Sequence, residues 1–327
     1  MKKLLLLATG FAIATTTMAQ TPQQLPDGRS KEYSTTIHQG ISDEFNGKTL
    51  DTSKWNRRNS GGRAVQDCVN DKSLVVMESE GKDRYVSVKA TANGKDIRTA
   101  GLVSANSGYT GFYVARFRFK GLNTEDVKKN KSVWHPSILS GSTNHHPDEP
   151  RNIGKGNWLE IDFVEWETGE NTWSCDAPAR FVDSKGKMRK VETRKGPNLE
   201  KCIVYDGEDR DHEQWCTVGL EYTNDRLQLW EWDGKSWKNI SNRMVSVVDE
   251  DPSSPETSYT ISTLGRSAVR PMFWLLGNVV SRYLYPKIDD GTSTYSSADA
   301  SFDFDYFRYY PCVSVENEHW IWKDGKK

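Results

Sequence analysis

Apolar and polar residues alternate in short runs along the chain, and Gly, Asn, Asp and Ser separate these runs. The segment 113–120 shows the pattern most clearly, with Tyr, Ala and Phe at every second position and Arg or Lys at three of the others. Because successive side chains of a strand point to opposite faces, this alternation predicts a half-buried β-strand.

Other segments predict strands in pairs. Residues 73–77 and 84–90 predict two neighbours joined by a charged turn. Residues 215–222 and 226–232 predict a second pair, and Asp233 with Gly234 predicts a hairpin turn after it. The recurrence of short runs with turn residues between them is typical of antiparallel sheets.

A continuous apolar run over 271–280 predicts a central strand, with Trp274 in the core. Aromatic residues alternate with Asp over 302–310, which predicts a further strand. No long segment has the period of a helix. The fold class predicted is therefore all-β, either a sandwich or a barrel, with no second domain or internal repeat.

Composition narrows the function. Aromatic residues make up 11% of the 327 residues, a high share for so polar a chain, and suit both a β-sheet core and stacking against sugars. The formal net charge of -1 lacks the basic excess typical of nucleic-acid binding, so we expect no nucleic-acid partner. The sequence indicates no oligomer, and we expect a monomer.

The first residues predict export. Met1-Lys2-Lys3 precedes a short apolar run, and Ala19 is the small residue before a cleavage point, so residues 1–19 resemble a secretory signal peptide. The run is too short to span a membrane. We expect a secreted or periplasmic protein, with one domain over 40–327 and a polar lead at 20–39 that is either a linker or a loosely docked arm. Five cysteines in an oxidising compartment allow one or two disulfides.

The segment 157–166 carries the candidate chemistry, because it places Glu160, Asp162 and Glu165 within one predicted strand. Glu160 and Asp162 share a face, whereas in a regular strand Glu165 would point to the other one. A β-bulge at Phe163-Val164 would return Glu165 to the face of the other two acids, and bulges often re-aim a side chain beside an active site.

Three like charges on one strand face repel one another and raise each other's pKa. A solvent-facing acidic edge is the alternative interpretation, but the apolar residues Ile161, Phe163 and Val164 between the acids indicate a central strand. A retaining glycosidase needs such carboxylates, because one attacks the anomeric carbon and another donates a proton to the leaving oxygen.

The segment E-I-D-F-V-E resembles the bulged E-x-D-x-x-E signature of glycoside hydrolase family 16, which includes agarases, porphyranases, carrageenases and laminarinases. Four other stretches resemble the family as well, so that the resemblance extends patchily from Ser42 to Tyr310. They are the opening Asp43–Gly47 with Leu50–Trp55, the strand Gly111–Lys120, the stretch Asp211–Thr223, and the final strand Asp305–Tyr310.

The resemblance implies a β-jelly-roll sandwich with a concave cleft, and endo-hydrolysis of a β-linked polysaccharide with retention. It implies Glu160 as the nucleophile, Asp162 as the assisting acid and Glu165 as the general acid/base. No cofactor is expected for catalysis. The family often binds a structural calcium between its opening segment and last strand, and Asp305 is the candidate ligand, with a solvated or turn-bonding Asp as the alternative.

Candidate substrate-binding residues lie around the acids in sequence. Trp134, Trp158 and Trp166 are candidate sugar platforms, with a core position as the alternative for each. Arg180 is a candidate for binding a sulfate ester or an acidic sugar, and an ordinary surface ion pair is its alternative.

The substrate is inferred from departures from the β-1,3-glucanase pattern. The stretch 171–175 replaces an N-T-x-H-G type segment, and the polar loop 140–155 is long. Both favour a red-algal galactan of the agar, porphyran or carrageenan type. The alternatives are a laminarinase acting on β-1,3-glucan, a transglycosylase, and a non-catalytic glycan-binding jelly roll.

Overall fold

A computed structural model describes the fifteen segments given at the end of this sentence, and structural statements below refer to them: 25–58, 68–93, 96–121, 134–142, 158–166, 172–176, 179–182, 188–193, 203–206, 213–223, 227–240, 247–249, 258–259, 272–280 and 299–313. Apart from one 3-10 turn at Lys72–Leu74, the regular elements of these segments are strands. No helix in them is long and apolar enough to cross a membrane.

The strands are numbered in chain order. They are β1 (Trp55–Arg57), β2 (Cys68–Asn70), β3 (Val75–Glu80), β4 (Asp83–Asn93), β5 (Asp96–Thr99), β6 (Gly101–Ser104), β7 (Gly111–Lys120), β8 (Trp134–Ser142), β9 (Trp158–Trp166), β10 (Thr172–Asp176), β11 (Ala179–Val182), β12 (Met188–Thr193), β13 (Ile203–Asp206), β14 (Cys216–Tyr222), β15 (Leu227–Trp232), β16 (Trp237–Asn239), β17 (Val247–Asp249), β18 (Ser258–Tyr259), β19 (Met272–Val280) and β20 (Asp299–Pro311).

These strands form two sheets. The first runs in the order β1-β6-β19-β8-β9-β11-β12-β17-β18, with β10 also paired to β9 and β13 paired to β10. The second runs in the order β16-β15-β14-β7-β20-β4-β5-β2, with β3 also paired to β4. The predicted all-β sandwich is confirmed, and so are the predicted pairs β3–β4 and β14–β15 and the central position of β19.

The two sheets enclose one apolar core. Trp274 of β19 is fully buried there, as predicted, and its ring lies 4.5 Å from that of Tyr113 and 5.3 Å from that of Phe307, both in the second sheet. Phe163 of β9 meets the same Trp274 ring edge-on at 6.0 Å. Aromatic side chains from both sheets therefore fix the position of β9 against the second sheet.

The prediction that β7 is half-buried is wrong, because both of its faces are covered. Arg116 and Arg118 are only 8% and 5% exposed. The guanidinium of Arg118 lies 4.2 Å from the ring centre of Trp215, and its Nε donates to Asp303 at 3.0 Å. The alternating pattern implied that water covers this face. Instead, a cation–π contact with Trp215 and the buried carboxylate of Asp303 cover it.

The polar lead predicted at 20–39 is, from Leu25 onward, a docked arm rather than a loose linker. The backbone amides of Ser34 and His38 donate to the carbonyls of Pro311 and Tyr309, each at 2.8 Å. The side chain of Glu221, which is 0% exposed, accepts a hydrogen bond from the Tyr33 hydroxyl at 2.6 Å. Arg29 Nε lies 2.7 Å from the same carboxylate oxygen.

We expect Glu221→Ala to lower the free energy of unfolding by roughly 3 kcal/mol, because it removes the carboxylate from a buried ion pair and leaves Arg29 and Tyr33 without this acceptor. Urea unfolding would measure this. Glu32→Ala is the matched control, since Glu32 pairs with the same Arg29 at 3.4 Å but is 38% exposed, and its loss should cost at most about 0.5 kcal/mol. Equal losses for the two variants would show that the arm is not held through Glu221.

Candidate active site

Over the stretch that pairs with β8 and β10, β9 contains one extra residue, Phe163. Ile138 of β8 lies opposite Val164, whereas the next residue, Leu139, lies opposite Asp162. The pairing of β9 with β10 shifts over the same stretch, since Ser174 lies opposite Glu165 and Asp176 opposite Asp162. The register of β9 against β8 and against β10 therefore shows a bulge at the position where the sequence predicts it.

Burial along β9 shows what the bulge does. Ile161, Phe163 and Val164 are all 0% exposed and belong to the core between the sheets. Two successive residues, Phe163 and Val164, thus point inward, which a regular strand does not allow. Glu165 consequently lies on the outer face of the first sheet.

The three acids share that outer face. Glu160 and Glu165 are partly exposed there, and Asp162 between them is 6% exposed. Each acid has a directly opposed neighbour on β8, and opposed residues share a face of the sheet. These neighbours are Gly141 beside Glu160, Leu139 beside Asp162, and Ser137 beside Glu165.

The neighbour of Glu160 has to be small. Gly141 is opposite both Glu160 on β9 and Phe273 on β19. A Cβ placed on Gly141 would lie 2.8 Å from the Phe273 ring, closer than side chains tolerate. The ring of Phe273 therefore packs on the backbone of Gly141, in the row that contains Glu160.

The sequence did not identify Ser137, Leu139, Gly141 or Phe273 as part of this surface. Their positions depend on the register between β8, β9 and β19, which no local pattern in these segments specifies. The glycine in an otherwise regular strand was the available signal, because an isolated strand glycine often marks a close approach.

The candidate sugar-binding residues are placed by their backbones alone. Trp134 begins β8, Trp158 and Trp166 are the first and last residues of β9, and Arg180 lies opposite Trp158. All four therefore belong to β8, β9 or β11, in the part of the sheet that contains the acids. Their side chains lie outside the described part of the structure, and their roles stay predictions.

The surroundings of Asp305 do not fit a calcium ligand. Its carboxylate is paired with Arg116, whose positive charge occupies the place that a cation would take. Burial raises the pKa of this carboxyl, and the guanidinium opposes that rise. Within the described segments no three acidic, His or Cys residues are grouped to hold a metal ion. The structural calcium stays a prediction without support at Asp305.

Solved structures share this architecture. A family 16 endo-glucanase from Bacteroides ovatus has a TM-score of 0.53 at 13% identity, covering 82% of this chain and 99% of the enzyme. Porphyranase B from Zobellia galactanivorans has a TM-score of 0.54 at 14% identity, covering 90% and 98%. The chain has the glycoside hydrolase family 16 fold. The β-jelly roll predicted from the sequence is thereby confirmed.

A third similar structure is the kappa-carrageenase from Pseudoalteromonas carrageenovora, with a TM-score of 0.53 at 16% identity, covering 89% of this chain and 100% of the enzyme. Identities this low describe the fold alone. No family model and no curated protein matches the sequence.

We expect Gly141→Ala to destabilise the protein by about 1–3 kcal/mol, because the new methyl group overpacks against the Phe273 ring. Combining it with Phe273→Leu, which removes part of that ring, should cost less than the sum of the two single substitutions. Thermal or urea unfolding of the four proteins in this cycle measures the coupling. Strict additivity would show that the two residues do not contact each other.

Proposed function

We propose that the protein is an endo-acting, retaining glycoside hydrolase that cleaves a β-linked polysaccharide. The observation that supports this most directly is the bulge at Phe163, because it brings Glu165 to the face of Glu160 and Asp162. Retaining and inverting glycosidases both use two carboxyl groups that flank the cleaved bond, and retention is what the family 16 resemblance implies. A protein that only binds glycans has no need for both Glu160 and Glu165 on that face.

In the first step, the carboxylate of Glu160 attacks the anomeric carbon and the glycosidic C–O bond breaks. Glu165 gives its proton to the departing oxygen, and a glycosyl ester with Glu160 results. In the second step Glu165 takes a proton from water, whose oxygen attacks the same carbon and releases Glu160. Asp162, between them, shares a proton with the nucleophile and adjusts its charge as the ester forms and breaks.

We propose a red-algal galactan of the agar, porphyran or carrageenan type as the substrate. The stretch 171–175 and the segment 140–155, whose first three residues belong to β8 rather than to a loop, depart from the β-1,3-glucanase pattern, which supports this choice. The porphyranase and the carrageenase cover 90% and 89% of this chain, whereas the Bacteroides ovatus endo-glucanase covers 82%. A β-glucan remains the second candidate, because a LamA variant from Zobellia galactanivorans, solved in complex with laminaritriose and laminaritetraose, has a TM-score of 0.50.

We further propose that the protein acts outside the cytoplasm. The proposal rests on the signal-like pattern of residues 1–19, which lie outside the described part of the structure. A polysaccharide substrate fits this location, because polymers of that size do not enter cells intact.

Glu160→Gln should reduce the release of reducing ends to below about a thousandth of the unmodified rate, because it removes the nucleophile. The assay panel is agar, porphyran, κ-carrageenan, laminarin and mixed-linkage β-glucan. Proton NMR of the first products that the unmodified protein releases should show the β-anomer, as retention requires. Glu213→Gln is the matched control, since Glu213 is an exposed acid outside the first sheet and should leave the rate unchanged.

Glu165→Gln separates the two roles. We expect a loss of about 10²–10⁴-fold on natural glycosidic bonds, and a smaller loss on aryl glycosides whose leaving group needs no proton. The fall in kcat/KM on the alkaline side of the pH profile should disappear, because that limb reports ionisation of the general acid.

Full activity in either variant, Glu160→Gln or Glu165→Gln, would contradict these assignments. Retardation in a polysaccharide gel without any cleavage would favour a glycan-binding protein.

A further inference from the structure

The hairpin of β15 and β16 presents three tryptophans on the face of the second sheet that points away from the core. Leu229 of β15 is 2% exposed and belongs to the core, so its neighbour Trp230 points outward. Trp232 is two residues further along, and Trp237 of β16 lies directly opposite it. The ring centres of Trp232 and Trp237 are 5.6 Å apart, and the ring planes are inclined at 63° to each other.

All three tryptophans are partly exposed, and two of them, Trp230 and Trp237, pack against buried residues. Trp237 meets the buried Phe112 edge-on at 5.3 Å, and Trp230 packs against the same cluster. The Phe112 ring lies above Gly219, where a Cβ would come within 2.3 Å of it. The tryptophans therefore stand on a rigid support, which keeps the entropy cost of binding low.

Two amides complete this face of the hairpin. Asn239 lies opposite Trp230, and its Nδ2 donates to Oε1 of Gln228 at 3.4 Å. Positions 228, 230, 232, 237 and 239 alternate on one face and include no charged residue. β16 is an edge strand of the second sheet as described, and its one charged residue, Lys238, lies on the other face.

Aromatic rings and uncharged amides on one face match the chemistry of a sugar chain. The C–H face of a β-linked pyranose is apolar and stacks on indole rings, while its hydroxyls exchange hydrogen bonds with amides. We propose that this hairpin face is a second binding site for a β-linked glycan chain, on the sheet that does not carry Glu160, Asp162 and Glu165. The class of ligand rests on the proposed function, whereas the site itself is separate from the acids.

A second glycan site has a consequence for long substrates. A chain held at the hairpin keeps the protein on the polymer between cleavage events, without contributing to the cleavage of short oligosaccharides. The site should therefore affect binding and turnover on polymers, and leave kcat/KM on a tetrasaccharide of the same linkage unchanged.

The test is native gel electrophoresis of the full chain in gels that contain porphyran or mixed-linkage β-glucan. The Glu160→Gln background prevents digestion of the gel. Trp232→Ala should weaken the retardation constant about tenfold, which corresponds to about 1.4 kcal/mol. Val69→Ala is the matched control, because Val69 is 50% exposed on β2, at the opposite edge of the same sheet, and should change nothing.

The double variant Gln228→Ala, Asn239→Ala keeps the three rings and so preserves folding if Trp232→Ala does not. It should weaken retardation severalfold while its thermal unfolding temperature stays that of the parent. Equal retardation of the parent and the folded hairpin variants would overturn the inference, and so would the absence of any retardation of the parent. A concentration-dependent dimer that dissociates on Trp232→Ala, with unchanged retardation, would also overturn it and assign the face to a second copy.

The outcomes distinguish this site from the proposed reaction. Hairpin-dependent retardation by a protein that cleaves none of the five polysaccharides would support the second site and contradict the hydrolase. Cleavage of a polysaccharide, combined with retardation that the hairpin substitutions do not change, would support the hydrolase and contradict the second site.

Discussion

The direction of one side chain, Glu165, depends on a single additional residue in the pairing of β9. With regular pairing, Val164 would stand beside Asp162 on the outer face and Glu165 would enter the core among Phe163 and Trp274. An ionised carboxylate there would be very costly, since nothing in an apolar core replaces its hydration. The extra residue moves the charge to the surface and places an additional apolar side chain in the core.

Apolar packing on the inner face of β9 therefore stabilises the strand whose outer face carries the three acids. Three carboxylates within six residues of one strand repel one another, and this repulsion opposes folding. On the other side of the same strand, Ile161, Phe163 and Val164 are completely buried, and Phe163 contacts Trp274. Burial of such side chains contributes about 1.5–3 kcal/mol each, which is large enough to offset like-charge repulsion at a partly solvated surface. The outer face of β9 thus carries the acids proposed for catalysis, and its inner face carries the apolar side chains that stabilise the fold.

Local patterns predicted eight of the twenty described strands, the hairpin turn and the bulge, because each of these follows from a few neighbouring residues. The alternation in β7 identified its inner face correctly and failed on the outer one. Arg116 and Arg118 look solvated in sequence, but Trp215 covers them and Asp303 pairs with one of them. Those partners are about a hundred or more positions away, and only the pairing of β7 with β14 and β20 brings them close. The same limitation concealed Gly141 and Phe273 beside Glu160, and the docking of Tyr33 on Glu221.

The place of β20 in the second sheet constrains how the chain reaches its folded state. This last described strand lies between β4 and β7, and the arm that contains Tyr33 hydrogen-bonds to it. Until residues 299–311 arrive, β4 and β7 each present an open edge, and the arm lacks the β20 carbonyls to which its backbone donates. The centre of the sheet is therefore completed by segments between 181 and 218 residues apart, which makes folding slow and non-local. A nascent chain has to be protected from edge-to-edge association throughout that interval.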